Sequence, residues 1–290
     1  MTAVSIIGAG KLGTSLGAAL RRAGYRIKAL SCLTLEDVQE SRRIIGEGAP
    51  LTDNLKAAEG SQVVFLTVPD DAIREVAEGL ASGQKDWTGV FCLHCSGLLS
   101  SKALSPLAEK GALTASLHPM QSFASKKGGG PEPFTGIYVG VEGAPLARGK
   151  AQTIAEDLGS HPFTLEAGDK PLYHTANSMA SNLMVSLLHQ ASLLLQDSGK
   201  ALPDPMEALL PLVQGTLQNV KMFDTTEALT GPIARGDEVT VALQIEALRG
   251  YPRALGIYRE LGLAAVEAAW AGDRIEEQSY RRFRALLEGK

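Results

Sequence analysis

Val4-Ser5-Ile6-Ile7-Gly8-Ala9-Gly10-Lys11-Leu12-Gly13 is an apolar run of strand length, then a Gly-x-Gly-x-x-Gly, then the start of a helical pattern reaching residue 23. That order decides the fold. After a strand, Gly8 permits a tight turn, Gly10 lets a pyrophosphate approach the backbone, and Gly13 lets helix and strand pack closely. The helix start at Lys11 and Leu12 adds free N–H groups and the positive end of a dipole, both suited to phosphate. The competing reading is a plain strand-to-helix turn; the strand before and the helix after favour a dinucleotide cradle.

Apolar runs at residues 4–7, 63–68, 90–93, 113–117 and 137–141 alternate with helical stretches through about residue 166. This alternation signals a parallel sheet with crossover helices. From residue 169 strand-like runs stop and helical patterns occupy 171–196, 206–220, 238–249, 252–271 and 274–287. The expected fold is α/β, a Rossmann-type doubly wound parallel sheet over 1–166, followed by an all-α substrate or dimerisation domain over 167–290. In 176–195 the apolar stripe is wider than a surface helix needs, which predicts burial on more than one side, as in a homodimer core. Residues 126–133, Lys-Lys-Gly-Gly-Gly-Pro-Glu-Pro, cannot hold a regular element and read as a mobile loop.

Of the 290 residues 44% are hydrophobic and 21% charged, with a net charge of −4. Enough apolar mass for two cores excludes a disordered chain, and the absence of a basic excess argues against nucleic acid as partner. No apolar run approaches the roughly 20 residues a membrane helix needs, and the chain opens on a strand without a basic leader. Three cysteines, Cys32, Cys92 and Cys95, make no even disulfide framework and read as reduced thiols. The expectation is a cytoplasmic protein acting on a small molecule.

An NAD-binding unit usually carries Asp or Glu at the end of its second strand to bind the ribose hydroxyls. Here that strand, residues 25–30, ends in Ser31-Cys32-Leu33. With no carboxylate to repel a 2′-phosphate, and Ser31 and Cys32 in its place, NADP is favoured. Arg42 and Arg43 read either as added charge or as a solvated helix face. After the run at 63–68, Val68-Pro69-Asp70 marks a strand's carboxyl end, a wall for the nicotinamide ribose; Asp70 and Asp71 read equally as helix N-caps.

Beyond the cofactor lie His94-Cys95-Ser96-Gly97 and His118-Pro119, both at strand carboxyl ends. His118 is the acid/base candidate, because a histidine exchanges protons near neutrality, and Ser96 reads as its hydrogen-bonding companion on substrate oxygen. The alternative for His118 is a structural strand-end histidine. Cys92-Leu93-His94-Cys95 lacks the second ligand pair a structural zinc requires, so no metal is expected. Along the helix opened by Asp169-Lys170-Pro171, Lys170, His174, Asn177 and Asn182 form a polar stripe. It reads either as substrate-binding, with Lys170 and Asn177 polarising an oxygen, or as an interhelical network. Arg235, in Gly231-Pro232-Ile233-Ala234-Arg235-Gly236-Asp237, reads as a carboxylate clamp or as an ion-pairing surface residue; Asp237 is the expected N-cap of the next helix.

Taken together, Gly8 to Gly13, Val68-Pro69-Asp70, Ser96-Gly97, His118-Pro119-Met120-Gln121-Ser122-Phe123, the Lys170/His174/Asn182 stripe and the Gly231 to Asp237 loop resemble a bacterial family of NADP-dependent oxidoreductases. That family has a Rossmann-like N-terminal domain and a C-terminal domain of unknown function. It sits among the 6-phosphogluconate and β-hydroxyacid dehydrogenases, ketopantoate reductase, pyrroline-5-carboxylate reductase and prephenate dehydrogenase. His118-Pro119-Met120, with Ser96 upstream, is similar to the histidine and serine that hold the substrate hydroxyl in prephenate dehydrogenases, although the Asp and Lys flanking that serine are absent here. The Lys-x-x-x-Asn of β-hydroxyacid dehydrogenases is also only partly matched: the fourth position after Lys170 is His174, and Asn177 lies further along. The resemblance implies hydride transfer between a nicotinamide and a small, anionic carbonyl, imine or hydroxy compound, with a ketopantoate-like 2-oxo acid the sharpest substrate. The rival is a dinucleotide-binding sensor without turnover.

Overall fold

A computed structural model describes residues 1–84, 86–126, 132–198 and 202–289. The chain divides into two compact units, Met1–Ser181 and Asn182–Lys290. The first contains β1 (Ala3–Ile7), α1 (Lys11–Arg22), β2 (Arg26–Ser31), α2 (Leu35–Ile45), β3 (Ala49–Leu51), α3 (Asn54–Ala58), β4 (Val63–Leu66), α4 (Asp70–Gly83), β5 (Phe91–His94), α5 (Ser105–Ala108), β6 (Leu113–Pro119), β7 (Tyr138–Gly143), α6 (Pro145–Asp157), β8 (His161–Thr164) and α7 (Lys170–Ser178). The eight strands form one sheet in the order β3-β2-β1-β4-β5-β6-β7-β8. This is the doubly wound α/β fold expected.

Strands β1 and β4 are buried along their whole length, because helices cover both faces of the sheet and a strand between them needs no polar side. One face packs Leu16, Leu20, Val38 and Ile45 of α1 and α2, with Ala147, Ala151 and Ile154 of α6. The other packs Ile73, Ala77 and Leu80 of α4 against Trp87, Leu104 and Leu107. The parallel register aligns Ile7 with Leu66, Leu66 with His94, and His94 with Ser116. The segments leaving β1, β4, β5 and β6 therefore emerge side by side at one carboxyl edge.

Several features depart from the expectation. Strand β7 runs antiparallel to β6, pairing Gly140 with His118. The short β3 and β8 carry too few apolar residues to be seen as runs, and α7 packs in the first compact unit, which extends to Ser181 rather than ending at 166. The helix read as continuous over 171–196 is α7, a π-helical turn at Met179–Leu183, and α8 (Met184–Ser198). Of the loop read over 126–133, residues 127–131 lie outside the described residues.

The second unit continues with α9 (Pro205–Met222), a 3₁₀ turn at Ile233–Arg235, α10 (Glu238–Ala247), α11 (Pro252–Ala271) and α12 (Glu277–Glu288). Its core gathers Val241, Val266, Ala269, Phe283 and Leu287. Asp237 caps α10 as expected, accepting from the Thr240 amide at 3.0 Å and the Thr240 hydroxyl at 2.6 Å. The stripe expected to be buried on more than one side is open: no residue of α8 is buried, and Val185, Leu187 and Leu193 are exposed. Among the described residues α9 and α11 cover that face only in part. Among the described residues no helix is long and apolar enough to cross a membrane.

Candidate active site

The three glycines of the first turn meet three different surroundings. Gly8 has φ +87°, and a Cβ there would lie 2.5 Å from Val68 Cγ1 and 2.8 Å from the Val68 amide nitrogen. At Gly10 a Cβ would meet nothing closer than the Gly8 carbonyl at 3.9 Å, so its face is open. At Gly13 it would overlap Thr67 Oγ1 and come within 2.7 Å of the Gly8 carbonyl. Turn, open approach and close packing are the three demands a diphosphate cradle makes. The amides of Gly8 and Ala9 both donate to the Ser31 carbonyl at 2.9 Å, and Gly10 to the Gly8 carbonyl at 2.7 Å. The donors left for an anion are the first-turn amides of α1, which Gly10 as N-cap leaves without a side-chain acceptor.

Beside this turn is a cavity of about 450 Å³, the scale of a small-molecule site. Gly8, Ala9, Gly10, Cys32, Val68 and Pro69 line it, as do Thr67, Asn54, Asp37 and Lys126. The residues present fit a dinucleotide. Of the residues read as cofactor-binding, Lys11 is exposed and Leu12 packs on the core, neither on the cavity wall, while Gly13 acts from beneath. Two readings need correction. Ser31 is fully buried, and its hydroxyl donates to Asn54 Oδ1 at 2.8 Å, so Asn54 rather than Ser31 faces the cavity. Asp70 caps nothing with its side chain; its carboxylate accepts the Ser96 hydroxyl at 2.7 Å, tying the end of β4 to the end of β5. Asn54 and Lys126 escaped the sequence reading because no local pattern links either to the turn.

Further along the same edge, His118 Nδ1 pairs with the Tyr173 hydroxyl at 2.7 Å, and the two rings meet edge to face. His174 approaches His118 with ring centroids 5.7 Å apart at 84°. Gly97 makes this possible: a Cβ there would stand 2.5 Å from His174 Nδ1 and 2.7 Å from His118 Nε2. Both imidazole nitrogens therefore pack against the bare face of Gly97, and His174 Nδ1, shielded from solvent, has no hydrogen-bond partner. Gly140, opposite His118 on β7, gives the tyrosine its place, since a Cβ would come 3.0 Å from its hydroxyl. Tyr173 was missed in the sequence because it reads as one more apolar position between Lys170 and His174.

The remaining residues serve this cluster from within. Lys170 is fully buried, donating from Nζ to the Ser116 hydroxyl at 2.8 Å and the Ser96 carbonyl at 3.0 Å. That overturns its reading as a substrate-polarising group: the ammonium joins α7 to the ends of β5 and β6. Ser96 is likewise consumed, donating to Asp70 and accepting from the amides of Leu98 at 3.1 Å and Leu99 at 2.9 Å, which leaves its oxygen no valence for substrate. Asn177 donates to the Tyr173 carbonyl of its own helix at 2.8 Å. Arg235 belongs to the second unit, where it closes a 3₁₀ turn and is exposed. Cys92 and Cys95 are buried thiols pushed up to about 12 by desolvation, so neither supplies a thiolate. Among the described residues no three His, Cys, Asp or Glu side chains converge as metal ligands.

Two histidines are held neutral. Burial, aided by the charge of Lys170, pushes His118 down to about 4. His94 is fully buried and also pushed down to about 4 by desolvation; its Nδ1 accepts the Ser96 amide at 3.1 Å, which assigns the proton to Nε2, facing the Ser100 carbonyl at 3.0 Å. In the unfolded chain both rings protonate near 6.5. Between about 6.5 and 4 the unfolded state thus holds more protons, and stability falls as pH falls through that window. For His94 the loss is about 3 kcal/mol. Thermal melting should drop by several degrees from pH 7 to 4.5, and a flat profile would refute the assignment.

Fold and glycine turn together define a Rossmann-type dinucleotide-binding architecture. The chain matches a Rossmann-like domain over residues 1–119 and a domain of unknown function, DUF2520, over residues 137–265. Together the two matches span most of the chain, which carries both domains in this order. Among solved structures it is similar to a candidate NADP oxidoreductase from Bacteroides fragilis, at 23% identity and TM-score 0.75, over 92% of this chain and 98% of that one. It is also similar to a protein from Thermotoga maritima, at 26% identity and TM-score 0.73, over 93% and 99% of the two chains. Prephenate dehydrogenase from Aquifex aeolicus shares the fold at 14% identity and TM-score 0.54, over 91% and 99%. No curated protein matches the sequence.

Proposed function

We propose that this chain is an NADP-dependent oxidoreductase acting on a small, anionic carbonyl, imine or hydroxy compound, with a ketopantoate-like 2-oxo acid the sharpest candidate. The observation that carries the reading is that a diphosphate-type glycine cradle and a shielded His118–Tyr173–His174 cluster lie on one sheet edge of one compact unit. A bound nicotinamide supplies or takes the hydride. The protein's part is to orient that ring and handle one proton. His118, neutral at pH 7, accepts the proton of a substrate hydroxyl, or returns one to a substrate oxygen, at Nε2. Tyr173, pushed up to about 12 by burial, stays protonated and steadies Nδ1. His174 Nδ1, unpartnered against the same glycine, is left to hydrogen-bond the substrate oxygen. Lys170 is a positioning residue whose charge adds to burial in keeping His118 neutral.

The helical unit supports a homodimer. Its α8 and α9 have no buried residues and expose Val185, Leu187, Leu193, Leu212, Leu217 and Val220, a face too apolar for a lone soluble chain; a second copy covering it by symmetry is the simplest solution. Free cysteines suit a cytoplasmic setting. One preparation tests the whole: purified protein should quench on titration with NADPH, turn over at least one member of a panel of 2-oxo acids, imines and hydroxy acids, and sediment at twice the 30.6 kDa chain mass. Nucleotide binding without any turnover would leave a sensor instead.

A further inference from the structure

Among the described residues lining the cavity beside the glycine turn, Lys126 is the cation, and it arrives from the segment between β6 and β7. Its Nζ reaches α2, donating to Glu40 Oε2 at 2.7 Å, to Asp37 Oδ1 at 3.0 Å and to the Asp37 carbonyl at 3.3 Å. The lysine side chain is 18% exposed, its carboxylate partners 55% and 49%. Asp37 is fixed at the start of α2, where its amide donates to Thr34 Oγ1 and the Thr34 hydroxyl donates back to its carboxylate. Glu40 leans out from the next turn of that helix.

In this fold the adenosine ribose rests at the end of the second strand. Here that is Cys32, on the same cavity wall as Asp37 and Lys126, so a carboxylate does stand near the ribose, contrary to the sequence expectation, and is paired with the lysine. Neither arginine of α2 lines that cavity; Arg42 Nε donates to the Gly48 carbonyl at 3.1 Å and Arg43 Nε to the Gln39 carbonyl at 3.4 Å. Resting on the dinucleotide reading above, we propose that Lys126 selects the 2′-phosphorylated nucleotide. Its ammonium exchanges Glu40 for the 2′-phosphate while Asp37 holds the lysine in place. Leaving one exposed carboxylate costs little, whereas a phosphate offers up to two negative charges and three acceptor oxygens. A nucleotide without the phosphate offers Lys126 nothing better than the carboxylates it already has.

The test uses the full chain and equilibrium binding of NADPH and NADH by calorimetry at fixed low salt. The wild type is expected to prefer NADPH. Lys126→Gln should weaken NADPH roughly ten- to hundredfold, the range of a hydrogen bond to a charged group, and leave NADH within about twofold. Glu40→Gln, which frees the ammonium, should tighten NADPH severalfold and not NADH. Equal affinity of the wild type for both nucleotides, or an equal change in both on Lys126→Gln, overturns the inference while the dinucleotide reading stands. Weakened NADH on Asp37→Asn makes that carboxylate the ribose reader and overturns it too. Binding of neither nucleotide by the wild type removes both.

Discussion

Replacing His118 with Asn is expected to lower kcat by about two to four orders of magnitude, the usual worth of a positioned acid or base, while moving the dissociation constant for NADPH by less than about threefold. The split follows from where the ring lies. His118 leaves the sheet at the end of β6, and the glycine cradle leaves it at the end of β1, with β4 and β5 between them. The substitution therefore removes a titrating nitrogen without touching the diphosphate site. Asn keeps a polar group in reach of the Tyr173 hydroxyl, so the pocket does not gain an orphaned donor. Tyr173→Phe should cost less, because it removes the partner at Nδ1 and not the proton carrier. A His118→Asn variant with wild-type turnover on any substrate the protein accepts would end the acid/base assignment. Loss of nucleotide binding together with turnover would show that the ring's role is structural.

Gly8→Ala is expected to be severely damaging for a single methyl. A left-handed residue with a Cβ costs about 1–2 kcal/mol in backbone strain, and at φ +87° there is no escape into a helical or extended conformation. The new methyl would also sit 2.8 Å from a backbone nitrogen of Val68, which no rotamer change can relieve; overpacking of that kind adds about 1–3 kcal/mol. The sum, about 2–5 kcal/mol, is a large share of the stability of an ordinary domain. NADPH affinity should vanish with it, since Gly8 and Ala9 hang together from the Ser31 carbonyl. Gly10→Ala is the matched control. Its methyl enters open space, so melting should stay at the wild-type temperature while NADPH binding weakens at least tenfold, because the diphosphate approaches from that side. Equal stability of the two variants would mean the turn has another shape.

The contrast between the two glycines also marks how far the sequence could be read. The order strand, Gly-x-Gly-x-x-Gly, helix is local, and so are the apolar runs, which is why the α/β half, the helical half and the N-cap at Asp237 were legible. The histidine at the end of β6 was legible for the same reason, as a polar residue where a strand stops. What escaped depends on neighbours far along the chain. Ser31 reads as a donor to a 2′-phosphate until Asn54 is seen to hold its hydroxyl, and Lys170 reads equally as substrate ligand or network member until Ser96 and Ser116 are seen beneath it. Tyr173 carried no signal at all, because a phenol among apolar helix positions is indistinguishable from packing until something polar stands opposite. Lys126 was visible only as one charge in a glycine-rich loop, with nothing in the order of residues to say that it crosses to α2. The reversal of β7 was equally silent, since an apolar run has no direction.

That reversed strand has a chemical corollary. Because β7 runs against β6, its Gly140 backbone, and not a side chain, stands across from His118, and the phenol settles to the depth this bare backbone allows. Alanine at 140 would lift the phenol away from Nδ1 by a few tenths of an ångström and loosen its grip on the imidazole. The basicity of the ring could then be retuned by one methyl group on an edge of the sheet, with every titrating residue left as it is.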